Sequence, residues 1–343
     1  MTINVAALTY DAIVLGCDSF SSLTDTAIFP FRPDGAGFAL DENGDFITDR
    51  DGNFVVALAQ PHIETVATTV FGGVNKMFLL FEDGDTSVAA TTAGMGTLNG
   101  LTIAAHAGRY RRACGRANTH FDSVSAVAED FRAYIRSEWE RQTDWENLPD
   151  ERKRYLGTVE LIVGGFSPDH DHGQVFVIDT KENSCHEQFE EERSGLCWTG
   201  QANFVERLLS GVDGRLRAIV SREIVRALED QRTTLLEGVS RELHVAGIAV
   251  PDGTELRIEE TVEPSLPWSV GWADIDYANL PTQYGIDLVS FLVNTQSGMQ
   301  HFSKGIATVG GRTHIGVLRR GERFTMLHEP ELTHDHTGFS HDR

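Results

Sequence analysis

The sequence predicts an α+β fold built from layers of strands and helices. The order of elements is strands, two consecutive helices, strands, further helices and final strands, which fits a layered α+β domain better than a doubly wound sheet. Hydrophobic residues make up 41% of the 343 residues, enough for one or two ordinary cores. No fixed-period repeat is evident.

The first elements are predicted to be a β-hairpin over residues 2–18 followed by an insertion of hairpins. Residues 2–18 alternate and then become apolar on either side of Thr9-Tyr10-Asp11, which predicts two strands joined by a tight turn. Residues 23–75 are rich in Asp, Gly, Pro and Thr. Within them, DENGDFITD and DRDGNFVV each predict a turn that leads into a short strand.

The middle of the chain is predicted to contain two strands, two helices and a further strand pair. KMFLLFE and TSVAATTAG predict the first two strands. Helices are predicted from about Thr97 to Arg116 and from about Asp122 to Thr143, because apolar residues recur there at helical spacing. TVELIVGGF and QVFVIDT then predict a strand pair around the turn SPDHDHG.

The last third is predicted to be helical and then to return to strands. We expect helix from about Gln201 to Leu243 with a break at Gly211–Gly214, a helix from about Ile286 to Phe302, and strands near HIGVLRR and RFTML. We therefore expect one domain over residues 1–327, with insertions near 23–75 and 245–284. A polar, histidine-rich tail follows at 328–343.

The charge balance limits the partners. The chain has 29 Lys and Arg against 51 Asp and Glu, a net charge of −22, so nucleic acid and anionic membrane surfaces would repel it. No apolar run approaches the roughly 20 residues that span a bilayer. The first twenty residues lack a basic start and contain Asp11 and Asp18, unlike a signal peptide. A cytoplasmic protein is expected.

Metal binding is weighed at three places and none is favoured. The four cysteines form no C-x-x-C pair, which argues against a zinc site or a disulfide framework. The aspartates from Asp41 to Asp51 resemble a calcium loop, but the twelfth position holds Gly52 instead of Glu, so ordinary turns are the simpler interpretation. The histidines of PDHDHG and of the tail lack ordered ligand spacing. We expect no metal and no cofactor.

Thr2 is the first candidate for chemistry. If Met1 is removed, which the small Thr2 favours, this residue carries a hydroxyl and a free amine together. An α-amine has a pKa of about 7.7 to 8.0 and can accept the hydroxyl proton near neutral pH, unlike a Lys at about 10.4. Such a nucleophile needs a positive neighbour, and a carboxylate that orients this neighbour.

Asp18 and Lys76 are the candidates for those two neighbours. Asp18 ends the second strand of the hairpin, and the hairpin returns it to the side of Thr2. Lys76 begins the next apolar strand, where an inward cation requires a carboxylate partner. A plainer interpretation stays open: Asp18 caps a turn and Lys76 is a solvated strand end.

These residues together resemble the proteasome β-type subunits, the threonine peptidases among the N-terminal nucleophile hydrolases. TINVAALTYDAIVLGCD follows the family's order of Thr, alternating strand, turn, apolar run and Asp, and Lys76 heads a strand as the family's lysine does. The resemblance implies a four-layer αββα sandwich with Thr2, Asp18 and Lys76 as catalytic residues. It also implies that the backbone N–H of Gly94, at the end of VAATTAG, receives the oxyanion.

The resemblance extends to the last helix, with departures. Gln201 stands in TGQAN where the family has a Ser close to the nucleophile's amine. An amide donates and accepts hydrogen bonds but does not relay a proton as a hydroxyl does. Where the family has an Asp and then a Ser at the end of its last helix, an ungapped alignment gives Gln300 and Ser303. Gln201 and Ser303 are therefore weaker candidates.

The leading hypothesis is a proteasome-like threonine hydrolase that cleaves peptide bonds through an acyl-enzyme on Thr2. Two alternatives stay open: a catalytically inactive assembly subunit, favoured by Gln201, and an amidase of the same type that acts on a small molecule. The resemblance also implies a peptide or protein substrate and a homo-oligomer, either a ring or an open assembly. Whether an unfoldase cooperates is not predicted.

Overall fold

The structure is a computed structural model. It describes residues 2–28, 37–42, 45–56, 63–191, 193–248, 272–303 and 306–327. By residue contacts the chain divides into two compact units, Met1–Gln201 with Asp276–Arg343, and Ala202–Ile275. The expected single domain over 1–327 stays a prediction, and the expected tail at 328–343 lies outside the described residues.

The first unit is a mixed α/β fold with two antiparallel five-stranded sheets. In spatial order, the first sheet contains Gly195–Gly200 (β12), Ile3–Leu8 (β1), Ala12–Asp18 (β2), Thr313–Arg319 (β13) and Thr325–Met326 (β14). The second sheet contains Ser184–Glu187 (β11), Gln174–Asp179 (β10), Val159–Phe166 (β9), Thr86–Gly94 (β6) and Met77–Asp83 (β5). The strands near the expected site thus belong to two different sheets.

The described residues of this unit also form four helices and two further strand pairs, one long and one short. The helices are Ile103–Ala117 (α1), Val124–Thr143 (α2), Asp150–Lys153 (α3) and Thr282–Phe302 (α6). The strand pairs are Ser21–Ile28 (β3) with Ile63–Phe71 (β4), and Thr97–Leu98 (β7) with Leu101–Thr102 (β8). The hydroxyls of Thr102 and Ser123 cap the first turns of α1 and α2, as capping residues do.

Buried side chains lie between the two sheets and on the outer face of each sheet, where helices pack. Between the sheets, Ile13 and Leu15 of β2 pack with Met77 and Ile162 of the second sheet. On the other face of the second sheet, α1 and α2 bury a cluster that includes Trp139. α6 packs against β1, β2 and β13 of the first sheet.

The opening hairpin is confirmed with its predicted turn. β1 and β2 pair antiparallel from Asn4 opposite Cys17 to Leu8 opposite Ile13. The Thr9 N–H donates to the Ala12 carbonyl at 2.9 Å and closes the turn. All thirteen residues of the two strands are buried, since β12 and β13 flank the hairpin within the sheet while the second sheet and α6 cover its two faces. This hairpin therefore lies within the first sheet.

Several predicted boundaries are wrong. The first helix begins at Ile103 and not near Thr97, because Asn99 and Gly100 adopt positive φ angles of 47° and 77° and turn β7 into β8. Asn-Gly is a strong signal for such a turn. The last helix begins at Thr282, directly after Pro281, rather than at Ile286. Strands β11 and β12 were not predicted.

The insertion between β3 and β4 contains an eight-residue repeat, contrary to the expectation of no repeat. Phe38, Phe46 and Phe54 recur at this spacing, and each pair of rings has centroids 5.3 to 5.6 Å apart. The backbone bonds are cyclic: the N–H groups of Ala39, Ile47 and Val55 donate to the carbonyls of Val55, Ala39 and Ile47 respectively. Three similar short segments thus close around three aromatic rings.

In the described part of the second unit, the chain forms the helices Asn203–Ser210 (α4) and Gly214–Val245 (α5), with the predicted break between them. Asp213 caps α5 by accepting the Leu216 N–H at 2.6 Å and pairs with Arg207 of α4. Along α5 no residue is fully buried. Among all the described helices of the chain, none is long and apolar enough to cross a bilayer.

Candidate active site

Thr2 lies at the start of the first sheet's β1 and is buried, with 4% of its surface exposed. Its carbonyl accepts the N–H of Gln201 at 2.7 Å, one residue past the end of β12. Strand β12, which the sequence did not predict, therefore anchors the backbone of Thr2 from the side opposite β2.

Lys76 bridges the Thr2 hydroxyl and the Asp18 carboxylate. Its Nζ lies 2.6 Å from Thr2 Oγ1 and 2.8 Å from Asp18 Oδ1. Both charged side chains are almost fully buried, at 5% and 1% exposure. The expected neighbours of Thr2 thus meet, although Lys76 is 74 residues away along the chain. The plainer interpretation, in which Lys76 is a solvated strand end, is wrong.

Asp18 accepts four hydrogen bonds, which fix its orientation. Oδ1 receives the Ile3 N–H at 3.1 Å as well as Lys76, and Oδ2 receives the N–H groups of Phe20 at 3.1 Å and Gly310 at 3.0 Å. Both oxygens accept, as those of a carboxylate do. Three backbone segments therefore fix the orientation of the Asp18 side chain, which in turn positions Lys76.

This geometry leaves the hydroxyl proton of Thr2 available to a base. An ammonium has three donors and no acceptor, so Lys76 must use a lone pair of Thr2 Oγ1. A hydroxyl has one proton and two lone pairs, and its proton is then directed to another acceptor. A positive charge at this distance also stabilises negative charge that develops on Oγ1.

Gln201 lies beside Thr2 and is held by Thr308. The Thr308 hydroxyl donates to Gln201 Oε1 at 2.9 Å, while the Gln201 backbone N–H binds Thr2. Thr308 is 4% exposed and belongs to the segment between α6 and β13. The amide oxygen of Gln201 is therefore already engaged by a residue that the sequence did not single out.

Ser303 and Gln300 lie at the end of α6. Ser303 is exposed, and its hydroxyl donates to the Met299 carbonyl at 3.0 Å, as a serine that binds back to its own helix does. Gln300 belongs to the last turn of the helix, and its backbone carbonyl accepts the Ser303 N–H at 3.2 Å. The residues from this region that contact Asp18 and Gln201 are instead Gly310 and Thr308.

Gly94 lines a cavity of about 30 Å³ together with Thr2 and Lys76. It has a positive φ of 82°, and a Cβ there would lie 2.1 Å from the Thr158 carbonyl oxygen, so only glycine fits. Other walls of the cavity include Val74, Asn75, Thr92, Met95 and Ile103. The Thr92 hydroxyl is buried without a hydrogen-bond partner among the described residues.

Cysteine is not a competing nucleophile here. Cys17 precedes Asp18 on β2, and burial raises the pKa of its thiol well above the usual range, against the opposing charge of Lys76. Burial likewise raises the pKa of Cys197 on β12 to about 12. A thiol is a weak nucleophile unless it ionises. The hydroxyl of Thr2 is therefore the better candidate.

A metal centre finds no support in the described ranges. Across them, no group of three or more His, Cys, Asp or Glu side chains could hold a metal ion. In the predicted turn, His170 is exposed, and His172 is partly buried with its ring against that of Tyr10. The histidines from position 328 onward lie outside the described residues.

Sequence reasoning missed three parts of this site. Thr308 and Gly310 reach it from the segment before β13, where the pair Gly310-Gly311 signals a turn or a close backbone approach. Glu160, the one acidic residue in the apolar run VELIVGGF, accepts the Gly200 N–H at 2.9 Å. An acidic residue within a buried strand is a signal of this kind, because its burial requires a partner.

Comparisons with known proteins give weak likenesses. No protein-family profile matches the chain, and no curated protein sequence does. Anbu (ancestral beta-subunit) from Yersinia bercovieri is similar at 9% identity and a TM-score of 0.45, over 97% of this chain and 89% of that one. The Anbu (Gly-1) mutant from Hyphomicrobium sp. strain MC1 is similar at 9% identity and a TM-score of 0.44, over 95% of this chain and 87% of that one.

A third similar structure is the helical assembly of the Anbu complex from Pseudomonas aeruginosa, at 9% identity and a TM-score of 0.43. It matches over 96% of this chain and 88% of that one. At such identities and TM-scores, these likenesses do not assign the chain to a family.

Proposed function

We propose that the chain is a proteasome-like threonine hydrolase that cleaves peptide bonds through an acyl-enzyme on Thr2. One observation carries the proposal: Lys76 Nζ lies 2.6 Å from Thr2 Oγ1 and 2.8 Å from Asp18 Oδ1 in a buried site. A buried ion pair is seldom a net gain in stability, so its contact with a hydroxyl favours a chemical role. The packing of α1 and α2 on the second sheet, of the two sheets on each other, and of α6 on the first sheet supports the finer description, a four-layer αββα sandwich.

The chain must first be processed, because removal of Met1 frees the amine of Thr2 before any substrate reacts. The amine accepts the hydroxyl proton while Thr2 Oγ1 attacks the substrate carbonyl carbon. Lys76 stabilises the charge on the oxygen and Asp18 orients Lys76. The backbone N–H of Gly94 receives the oxyanion. The amine then gives its proton to the leaving nitrogen, the C–N bond breaks, and water releases the acyl group from Thr2.

The test is acylation by a β-lactone, which reacts with an activated hydroxyl. We expect intact mass spectrometry to show that Met1 is absent and that the protein gains one probe mass. Thr2→Ala should gain none. Thr91→Ala is the matched control, because it removes a buried threonine hydroxyl from β6 and should be labelled like the wild type. Equal labelling of Thr2→Ala would refute the proposal.

A catalytically inactive assembly subunit remains the second candidate, because Gln201 stands beside Thr2 with its amide oxygen bound to Thr308. Complete removal of Met1 without any labelling would favour it. A small-molecule amidase would use the same residues, Thr2, Asp18 and Lys76. Fluorogenic peptides compared with short acyl amides as substrates distinguish the two enzymes.

A further inference from the structure

Glu160 is a half-buried carboxylate on β9 that the proposed reaction leaves unused. It lies opposite Ala93 of β6 on one side and Asp179 of β10 on the other. Its Oε2 accepts the backbone N–H of Gly200 at 2.9 Å. Since Gly200 ends β12, this bond joins the second sheet to the first sheet at the end where Thr2 lies.

Gly200 in turn lies directly against Thr2. Its φ is 79°, and a Cβ there would lie 2.1 Å from the Thr2 carbonyl oxygen and 3.2 Å from Ala93 Cβ. The next residue, Gln201, donates its N–H to the same carbonyl at 2.7 Å. Among the described strands, β12 is at the edge of the first sheet, so no described strand beyond it accepts the Gly200 N–H. Glu160 accepts it instead.

We propose that Glu160 is a positioning residue for the nucleophile. Its carboxylate fixes the Gly200–Gln201 turn, and the turn fixes the backbone of Thr2 so that Oγ1 meets Lys76. Glu160 does not line the cavity next to Thr2 and acts through the turn. The inference rests on the proposed function, since Thr2 must react for its position to matter.

The surroundings of Glu160 favour a role beyond filling space. Burial raises the pKa of its carboxyl, and Asp179 across the strand raises it further, while the Gly200 N–H opposes the rise. A carboxylate kept at such a place is unfavourable for stability, and a neutral acceptor would avoid that effect. The hydrogen bond from the Gly200 N–H partly offsets the unfavourable burial of this carboxylate.

The experiment measures the rate of β-lactone labelling of Thr2 at several probe concentrations. In Glu160→Ala we expect the maximal rate to fall about 10- to 100-fold, because small displacements of a reacting group have effects of this size. The half-saturating probe concentration should stay within about twofold, since Glu160 does not touch the probe. Glu160→Gln should recover most of the rate, because its amide oxygen accepts the same N–H.

Glu138→Ala is the matched control. Glu138 is a buried carboxylate on α2 that accepts hydrogen bonds from Asn99 and Arg141, so its loss should lower stability without slowing the labelling. Should Glu160→Ala fail to fold, Glu160→Asp gives the same comparison, since its shorter side chain withdraws the oxygens from Gly200. Wild-type rates in the Ala or Asp variant, or equal loss in Glu160→Gln, would overturn the inference.

Hydrogen exchange separates this inference from the proposed function. Glu160→Ala should accelerate exchange of the Gly200 and Gln201 amides, while Glu160→Gln should preserve their protection. If the wild type is not labelled at all, the proposed function fails, and the exchange data still decide whether Glu160 fixes the turn. Unchanged exchange in Glu160→Ala would overturn the inference on its own.

Discussion

Lys76 is the residue on which the candidate site depends, because it is the only group that touches both Thr2 Oγ1 and Asp18 among the described residues. Its ammonium lies in a site with 5% side-chain exposure and is neutralised by one carboxylate. That carboxylate is itself held by the N–H groups of Ile3, Phe20 and Gly310. The position of the charge is therefore set by backbone and not by flexible side chains.

Asp18→Asn tests this arrangement through stability. The substitution keeps the size of the side chain and removes the counter-charge, so Lys76 is left as a buried unpaired cation. Losing one partner of a buried pair costs about 3–5 kcal/mol of unfolding free energy, which urea denaturation measures. In Asp18→Asn with Lys76→Met, where the unpaired charge is gone, we expect a smaller loss than in Asp18→Asn alone.

The control for that prediction is an exposed pair of the same chemistry. Lys153 Nζ lies 2.7 Å from Asp150 Oδ1, but the Asp150 side chain is 93% exposed. Because solvent screens such pairs, Asp150→Asn should leave the unfolding free energy unchanged within error. Equal losses for Asp18→Asn and Asp150→Asn would contradict the account of Asp18.

The sequence predicted the site residues unevenly. Asp18 could be placed beside Thr2 because a tight hairpin joins them, which is a local relation. Lys76 could be expected to face inward because an apolar strand follows it. Glu160, Thr308 and Gly310 could not be placed, because they depend on strand orders and on a loop far along the chain, which no local pattern records.

At the scale of elements, the end of β12 requires a glycine beside the nucleophile. Gly200→Ala adds a Cβ 2.1 Å from the Thr2 carbonyl oxygen. We expect the Thr2 labelling rate to fall by at least tenfold, because the backbone must shift at the nucleophile. Gly211→Ala is the control: its φ of 76° gives the same backbone strain, but nothing lies within 4 Å of the added Cβ. Its labelling should match the wild type.

The cap that Asp213 forms at the start of α5 predicts a pH-dependent contribution to stability. The Leu216 N–H is the main cause that lowers the pKa of Asp213, with a further contribution from Arg207. Asp213→Ala should therefore lower the unfolding free energy by about 1 kcal/mol at pH 7. A lowered folded-state pKa contributes stability above the unfolded value of about 3.9 and loses it as the pH falls. The difference from wild type should therefore shrink below about pH 4.

Urea unfolding followed by circular dichroism at pH 7 and pH 3 measures this effect. Asp230→Ala is the control, since Asp230 is an exposed residue in the interior of the same helix. It should cause no loss at either pH. If the difference in unfolding free energy between Asp213→Ala and wild type grew as the pH falls, the predicted pH dependence would be wrong.

Elements with a strong local period were predicted well, and short or turn-dependent ones were not. The helix at Val124–Thr143 follows its apolar spacing closely. By contrast, β12 is the six-residue GLCWTG, which has no alternation and depends on pairing with β1. The first helix was started too early because the Asn99-Gly100 turn was overlooked. Pairing between distant segments was the missing information for β12, whereas the turn before the first helix is a local signal that the sequence contains.

At the scale of the whole molecule, charge is the dominant property. A net charge of −22 at pH 7 implies self-repulsion in the compact state. We expect the melting temperature to rise between about 20 and 200 mM NaCl, because salt screens charges beyond roughly 10 Å. The control is the same salt change near pH 4.9, the isoelectric point, where the rise should be smaller. An equal rise at both pH values would contradict this view.

The central claim is that the amine and the hydroxyl of Thr2 act together. An epoxyketone tests it most directly, because a vicinal hydroxyl and amine can bond to both of its electrophilic carbons and close a ring. Peptide mapping by mass spectrometry should find the doubly bonded adduct on an amino-terminal Thr2 in the wild type. Thr2→Ser should form it and Thr2→Ala should not. A protein that retains Met1, or an adduct at any other residue, would contradict the account.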